Sequence, residues 1–495
     1  MRRHAALTQR ETIMSYQGTR SIEPGYSRYN QTRRAHWDAV GQAGNRRSRW
    51  AKYYQRRLQK AYGFLCSPHM RILEIGCGQG DLLAGLQPAF GMGVDFSGAQ
   101  VQAARRAHPE LCFIQADGHA LPLSEPFDLI ILSDLCNDVW DVQRILEEAR
   151  RLCAPHTRVA LNLYSRLWEF PLTMAQHLGL AQPTLSQNWL TLEDIHNLLT
   201  LSDFEVIRSW VEFLLPTDIR PLAAFANRFL VRLWPFRHLA LTNFVIARPA
   251  HMPPADAASV SVIVPARNEA GNIPQIFERL PRMGRETEIV FVEGGSSDDT
   301  WEVIEREIGA HPEWRCQLHR QRGKGKGDAV RLGFAHATGE VLMILDADLT
   351  VPPETLPRFY EALCHRRGEF INGVRLVYPM EKQAMQFLNL LGNKFFGLAF
   401  SWLLGQPVRD TLCGTKVLWK ADYERIAANR AYFGEFDPFG DFDLLFGAAR
   451  LNLKIIDLPI RYRERTYGST NIDRWRHGVL LLRMVLFAAS RIKFV

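Results

Sequence analysis

Ile72-Leu-Glu-Ile-Gly-Cys-Gly-Gln-Gly-Asp-Leu-Leu83 is a short apolar run that breaks into a glycine-rich turn and then a helical pattern. Far downstream, Val341-Leu-Met-Ile-Leu-Asp-Ala-Asp348 is a second apolar run, ending in two carboxylates. Each reads as a buried strand of a parallel sheet. Glycines after the first let the backbone turn sharply and leave room for a ligand against a helix N-terminus. Carboxylates after the second form a hard-oxygen pair suited to Mg2+ or Mn2+, with Asp346 and Asp348 as ligands. Two such stretches imply two chemistries, and 495 residues suffice for two domains.

Around the first stretch, residues 70–249 alternate apolar strands with amphipathic helical patterns, as in a parallel α/β sheet. The turn places Glu74, Gly76, Gly78 and Gly80 at alternate positions, whereas a dinucleotide site wants its third glycine one residue later. Gly93-Val-Asp95 ends a second strand with a carboxylate placed for ribose hydroxyls, and Phe113-Ile-Gln-Ala-Asp117 ends a third with one able to meet an adenine amino group. Phe127–Ser133 supplies a fourth strand, and Phe204–Ile207 with Thr242–Ala247 a final pair. In this order the elements resemble the Rossmann-like S-adenosylmethionine-dependent methyltransferases, over about 36–249. The resemblance implies a seven-stranded sheet with an antiparallel final pair. It places Glu74, Gly76 and Gly78 at the methionine end of S-adenosylmethionine, Asp95 at the ribose, and Asp117 with Gly118 at the adenine, and counts Gly80 among the binding residues. After the fourth strand Asp134, Asn137 and Asp138 are candidate acceptor-side groups, with Asp134 taken as the catalytic one and Tyr164 and Trp168 shaping the pocket.

Arg248-Pro-Ala-His-Met-Pro-Pro breaks all periodicity, so 250–258 reads as a linker. Beyond it, Ser261–Pro265, Glu288–Val292, Val341–Asp346 and Phe370–Val374 read as strands. Pro265, Arg267, Asn268 and Glu269 form a polar turn, Glu293 and Gly295 lie in an acidic turn, and Lys324 and Lys326 occupy a basic loop opening a helix. With Asp346-Ala-Asp348 this set resembles the inverting family-2 glycosyltransferases of the A-type fold, over 259–475. The implied donor is a nucleotide-sugar, touched by Pro265, Arg267, Asn268, Glu269, Glu293, Gly295, Lys326, Asp346 and Asp348. Glu293 stands where many members have Asp. Arg409-Asp410-Thr-Leu-Cys-Gly414-Thr-Lys416, Asp441-Phe-Asp443 and Arg465-Thr-Tyr-Gly468 resemble members that glycosylate a polyprenyl or dolichyl phosphate. A phosphate acceptor is largely ionised at pH 7 and needs cations more than a base. Arg409, Lys416 and Arg465 are the expected cations, Asp348 is catalytic through the metal, and Asp443 is the base if the acceptor is a hydroxyl.

The net charge of +8 is concentrated at the N-terminus, where residues 1–60 hold 14 Lys/Arg against 3 Asp/Glu. Residues 1–35 therefore read as a basic arm suited to anionic lipid or nucleic acid, with a helix expected from about Arg46 to Phe64. The 8 cysteines show no Cys-x-x-Cys spacing, which fits a reducing cytoplasm, and no secretory signal is expected. Residues 383–405 and 478–490 are apolar with interspersed polar residues, and 476–495 reads as an amphipathic C-terminal helix. Thirteen helical residues span about 20 Å, short of a hydrocarbon core of about 30 Å, so these helices are expected to lie in a membrane interface. The leading expectation is a bifunctional enzyme, peripheral on the inner face of the membrane. It transfers a sugar to a polyprenyl phosphate and a methyl group to a related glycan or lipid-linked acceptor, with no nucleic acid partner. Two alternatives are a non-catalytic S-adenosylmethionine-binding regulatory module beside the sugar transferase, and a basic-arm RNA methyltransferase.

Overall fold

The computed structural model describes residues 24–42, 49–67, 69–177, 185–215, 221–252, 254–255, 257–375, 377, 387–432, 441–463, 465, 467 and 474–494. Residues 1–23 of the expected basic arm, 383–386 of the first apolar segment, and 468–471 lie outside them.

Two seven-stranded sheets follow one another along the chain. The first consists of β1 (Arg71–Ile75), β2 (Phe90–Asp95), β3 (Cys112–Gln115), β4 (Phe127–Ser133), β5 (Cys153–Tyr164), β6 (Phe204–Glu212) and β7 (Thr242–Pro249). Its order is β3-β2-β1-β4-β5-β7-β6, with β7 antiparallel to both neighbours. The second holds β8 (Val260–Ala266), β9 (Thr287–Glu293), β10 (Arg315–Arg320), β11 (Val341–Ile344), β12 (Phe370–Val374), β13 (Lys416–Trp419) and β14 (Ile455–Pro459). Its order is β10-β9-β8-β11-β13-β12-β14, with β13 antiparallel. Central strands such as β9 and β11 are buried at every position, which explains their unbroken apolar sequence. In both sheets the order of the parallel strands reverses at the centre, between β1 and β4 and between β8 and β11. A crevice opens beyond the strand C-termini at such a reversal, and both quoted stretches end there.

The helices that matter for the sites are α1 (Pro24–Gln42), α2 (Arg49–Gly63), α3 (Glu169–His177), α4 (Leu222–Arg228), α5 (Phe387–Leu404), α6 (Asp441–Arg450) and α7 (Arg474–Ala488). The expected C-terminal amphipathic helix is apolar on both sides. Leu481 and Met484 of α7 join Phe400 and Leu403 of α5 in the core against the second sheet, while Val479, Leu482 and Leu486 remain exposed. Among the described residues no helix is long and apolar enough to cross a membrane.

The domains are joined by buried charge as well as by the linker. Arg158 at the base of β5 donates to both oxygens of Glu369 at 2.9 and 2.8 Å and to the Asn452 carbonyl at 2.8 Å. Arg248 donates to the Arg366 carbonyl, Lys454 pairs with Glu205 at 2.9 Å, and Arg450 reaches back to the Phe64 and Cys66 carbonyls. Removing one partner of a buried pair such as Arg158–Glu369 costs about 3–5 kcal/mol, because a desolvated charge is left behind.

Candidate active sites

In the first crevice the glycines are needed for distinct reasons. Gly76, Gly78 and Gly80 have φ of 76°, 52° and 76°, in the left-handed region that side chains resist. A Cβ on Gly76 would lie 2.6 Å from Leu135 and one on Gly80 2.5 Å from Phe113, whereas Gly78 faces open space, where a ligand can approach. Asp95 ends β2 and accepts from the Gly78 and Ser97 amides, each at 2.9 Å. Burial pushes its carboxyl above the usual range, and those two amides work against that. Glu74 is buried on β1 beneath the turn, and Gly118 packs near Ile75.

Asp117 is more committed than its sequence position implied. It accepts from the Tyr26 hydroxyl, from Asn30 Nδ2 at 2.8 Å and from His119, at 3.0 Å to the amide and 2.7 Å to Nδ1. Burial opposes its charge, yet these donors hold the carboxyl well below the usual range. Tyr26 and Asn30 belong to α1, which straddles the expected boundary at residue 35. Its Asp38 accepts from Ser97 and from the Ala99 amide. The helix thus closes over the Asp117 end of the crevice, and nothing in its polar sequence announced that partner.

The three acceptor-side candidates separate cleanly. Asp138 is consumed by α1, accepting from Arg33 Nε at 2.8 Å and Trp37 Nε1 at 2.6 Å. Asn137 is buried and braces the backbone, donating to the Asn188 carbonyl and accepting from the Tyr164 amide. Asp134, with φ of 54° just past β4, is only half-buried. Its Oδ1 accepts from the Tyr54 hydroxyl at 2.8 Å and Asn162 Nδ2 at 2.5 Å. Asn162 in turn accepts from the Tyr62 hydroxyl at 2.6 Å. Burial pushes the Asp134 carboxyl up to about 7, against the pull of Tyr54 and Asn162. Tyr164 lies beside Tyr54, their ring centres 6.2 Å apart, and Trp168 donates to the Leu239 carbonyl. Tyr54, Tyr62 and Asn162 escaped the sequence reading, although Tyr54 sits in the helix expected around it.

In the second crevice the carboxylates face cations. Lys326 pairs with Asp346 at 2.5 Å, and Arg465 lies 3.5 Å from Asp348 while also donating to Glu269. Burial opposes the charge of Asp346, but the Lys326 ammonium overrides it and lowers its pKa. Asp348 is pushed up by burial and by Asp346 beside it. A Cβ on Gly414 would fall 2.0 Å from Asp346 and 2.2 Å from the Lys326 ammonium, so only glycine fits there. Among the described residues no third His, Cys, Asp or Glu completes a metal-binding cluster. Two carboxylates alone still suit a cation that takes its remaining ligands from a diphosphate.

The other expected donor residues line the same edge. Asn268, with φ of 57°, accepts from the Ser297 amide at 2.7 Å. Gly295 faces open space, Arg267 is exposed, and Pro265 is half-buried at the end of β8. Glu293 is buried and accepts from the Ser296 amide at 2.5 Å, shaping the turn. Glu269 is buried too, and burial raises its carboxyl to about 7 against the pull of Arg465, so it braces that arginine rather than meeting a nucleotide.

Of the three expected acceptor cations, Arg409 is exposed, its amide donating to Asp457, and Arg465 is drawn to the carboxylates. Lys416 corrects the expectation. It is fully buried on β13, donates to the Cys413 carbonyl and helps hold Asp346 ionised from behind, so it cannot meet an acceptor directly. Asp443 on α6 is buried against Arg430 Nε at 2.9 Å, which makes it a poor free base. Arg375 was not singled out from sequence; its guanidinium clamps the buried Asp410 at 2.7 and 2.9 Å and orders the Arg409 segment.

Comparison with known proteins agrees with this division. Residues 43–209 match the family described as "Methyltransferase domain", and residues 261–417 match "Glycosyl transferase family 2". The chain is 39% identical over 221 residues to a dolichol-phosphate mannosyltransferase of Pyrococcus furiosus, covering 43% of this chain and 59% of that protein. It is 35% identical over 106 residues to an undecaprenyl-phosphate 4-deoxy-4-formamido-L-arabinose transferase of Klebsiella pneumoniae, covering 21% of this chain and 32% of that one. The matched region thus spans about a third to just over half of these relatives' lengths. Among solved structures, magnesium protoporphyrin IX methyltransferase of Synechocystis with bound SAH aligns at 17% identity and TM-score 0.33, covering 45% of this chain and 100% of that one.

Proposed function

For a chain that joins a methyltransferase domain to a family 2 glycosyltransferase domain, we propose a bifunctional enzyme. It transfers a sugar from a nucleotide-sugar to a polyprenyl phosphate, and a methyl group from S-adenosylmethionine to a hydroxyl of a related glycan or lipid-linked acceptor. The carrying observation is that both sheets place their carboxylates at the strand-order reversal, Asp95 and Asp134 in one and Asp346 and Asp348 in the other.

In the first site the Gly76–Gly80 turn and Asp95 orient the methyl donor, whose sulfonium carbon is the electrophile. Asp134 then takes the proton as the acceptor oxygen bonds to the methyl carbon and the carbon–sulfur bond breaks. A carboxyl with a pKa near 7 suits that task. This favours catalysis over a purely regulatory donor-binding module, which has no use for a base tuned in this way. The RNA methyltransferase reading loses ground because Arg33 of the basic arm is bound to Asp138.

In the second site Asp346 and Asp348 fit a divalent cation, which would offset charge on the departing nucleoside diphosphate. With a cation held there, Lys326 would be available to the donor phosphates, and exposed Arg409 would meet the acceptor phosphate. An ionised phosphate needs no protein base, which agrees with the engagement of Asp443 by Arg430.

Calorimetry tests both halves. S-adenosylmethionine is expected to bind wild type and to bind Asp95→Ala at least tenfold more weakly. A nucleoside diphosphate with Mn2+ is expected to bind wild type but not a folded Asp348→Ala. Wild-type failure in either titration removes that half of the proposal.

A further inference from the structure

We propose that the seam between the two domains holds a binding pocket for the phosphate of a membrane amphiphile, built jointly by both halves and distinct from both active sites. The pocket is lined by Arg57 and Lys60 of α2, Arg208 and Glu212 of β6, Arg232, and Lys493 at the C-terminus. Five cations there face one carboxylate.

That carboxylate is already used. Glu212 accepts from Arg57 Nη2 at 2.6 Å and from Arg232 Nη2, so two arginines share one counter-ion. Two of the remaining three cations have neutral partners: Arg208 Nε donates to Asn452 Oδ1 at 3.0 Å, and Lys493 to the Trp402 carbonyl at 2.8 Å. Arg57 Nε and Arg232 Nε are buried without any hydrogen-bond acceptor. Buried donors and buried charges are costly when left so, and an anion in the pocket would supply the acceptors they lack. Electrostatics agree: burial and then the Arg232 and Arg208 charges bring Lys493 down to about 7, and burial with Arg232 and Arg450 brings Arg208 down to about 10. Converging guanidinium groups match phosphate oxygens better than a small point anion.

The surroundings indicate what carries the phosphate. Phe494, next to Lys493, lies 5.3 Å from Phe229 and 5.8 Å from Trp402, so one aromatic rim joins the two domains beside the pocket. The segments that carry the rim, and the helix packed against them, also expose apolar side chains. Leu233, Trp234 (77% exposed) and Leu239 lie on the first domain, and Leu398 (74% exposed), Leu482 and Leu486 on the second. Residues 222–239, 394–404 and 479–494 together contain seven Lys/Arg and no Asp/Glu. An apolar surface set in one-signed positive charge complements an anionic bilayer. A second copy of the chain would bring the same cations against each other, and residues 1–23 are themselves basic. The first-domain segments also leave the sheet beside Asp134, since Tyr164, Thr242 and Glu212 are register neighbours at its C-terminal edge.

The test uses the full chain in metal-free buffer, with inorganic pyrophosphate as the soluble probe. Vesicles of phosphatidylcholine with and without 20 mol% phosphatidic acid, read by flotation, are the lipid probe. Pyrophosphate is expected to raise the wild-type melting temperature, equally so in Asp348→Ala. In Arg208→Gln/Lys493→Gln the unliganded protein is expected to melt no lower than wild type, because repulsion is relieved, while pyrophosphate affinity falls at least tenfold. Wild type is expected to float only with phosphatidic acid, and the double variant to lose most of that binding. Trp234→Ser/Leu239→Ser, two exposed changes, is expected to lose flotation while keeping pyrophosphate. Undiminished pyrophosphate binding in Arg208→Gln/Lys493→Gln, or none in wild type, overturns the pocket. Pyrophosphate binding with no preference among vesicles overturns the lipid assignment. Failure of the S-adenosylmethionine or nucleotide titrations would touch the proposed reactions alone, since this pocket uses neither site.

Discussion

The two crevices hold their carboxylates by opposite means. In the first, Asp95 and Asp134 accept from neutral donors, the Gly78 and Ser97 amides in one case and Tyr54 and Asn162 in the other. In the second, Asp346 and Asp348 face the Lys326 and Arg465 cations. Neutral donors position a carboxylate without cancelling its charge, so the first site is arranged before its ligand arrives. Cations cancel it, so in the proposed reading the second would exchange its internal ion pairs for a metal and a diphosphate. One site is preorganised and the other is recruited.

The largest expected effect bears on the second site. Asp348→Ala is predicted to lower sugar transfer by about 10³-fold, with S-adenosylmethionine binding unchanged by calorimetry; parallel loss of both would make the sites a single unit. Next, Asp134→Asn is predicted to lower methyl transfer about 10²-fold while donor affinity stays put. The wild-type rate should rise with pH through about 7 as the carboxyl ionises, and the variant should lose that rise. A flat wild-type profile would remove Asp134 as the base.

A smaller effect concerns the α1 closure. Tyr26→Phe removes one hydrogen bond to a charged group, about 1.5 kcal/mol, and should weaken S-adenosylmethionine roughly tenfold. Because the Asp117 pKa is depressed in the folded state, its contribution is full above the unfolded value of about 3.9 and is lost as pH falls below it. Hydrogen exchange across 24–42 should accelerate there first. The smallest effect sharpens the contrast itself. Lys326→Gln should tighten Mn2+ binding in the absence of nucleotide by about threefold, since one competing cation is gone. Weaker binding of the metal alone would mean that Lys326 organises the site.

The sequence made the central strands legible because a strand buried on both faces must be an apolar run, and β1, β4, β8, β9 and β11 all are. Strands β5, β10, β13 and β14 were not named individually: β10 reads Arg-Cys-Gln-Leu-His-Arg, and β13 is four residues long. Side-chain roles were legible only where the backbone alone fixes them, as at Gly76 and Gly80. Asp134, Asn137 and Asp138 are chemically similar neighbours in sequence, and what separates them is contact with α1 and β5 about 30 to 100 residues away. Lys416 looked available because burial of one lysine on a short strand leaves no local pattern.

The Arg158–Glu369 pair and its neighbours alter what the linker at 250–258 is for. If the halves already hold each other through desolvated charge, the peptide connection sets their stoichiometry rather than their arrangement. A nick in that stretch should then leave the fragments co-eluting as one particle. Either half produced alone would carry an ionic scar, Arg158 on one side and Glu369 on the other, exposed where its counterpart belongs.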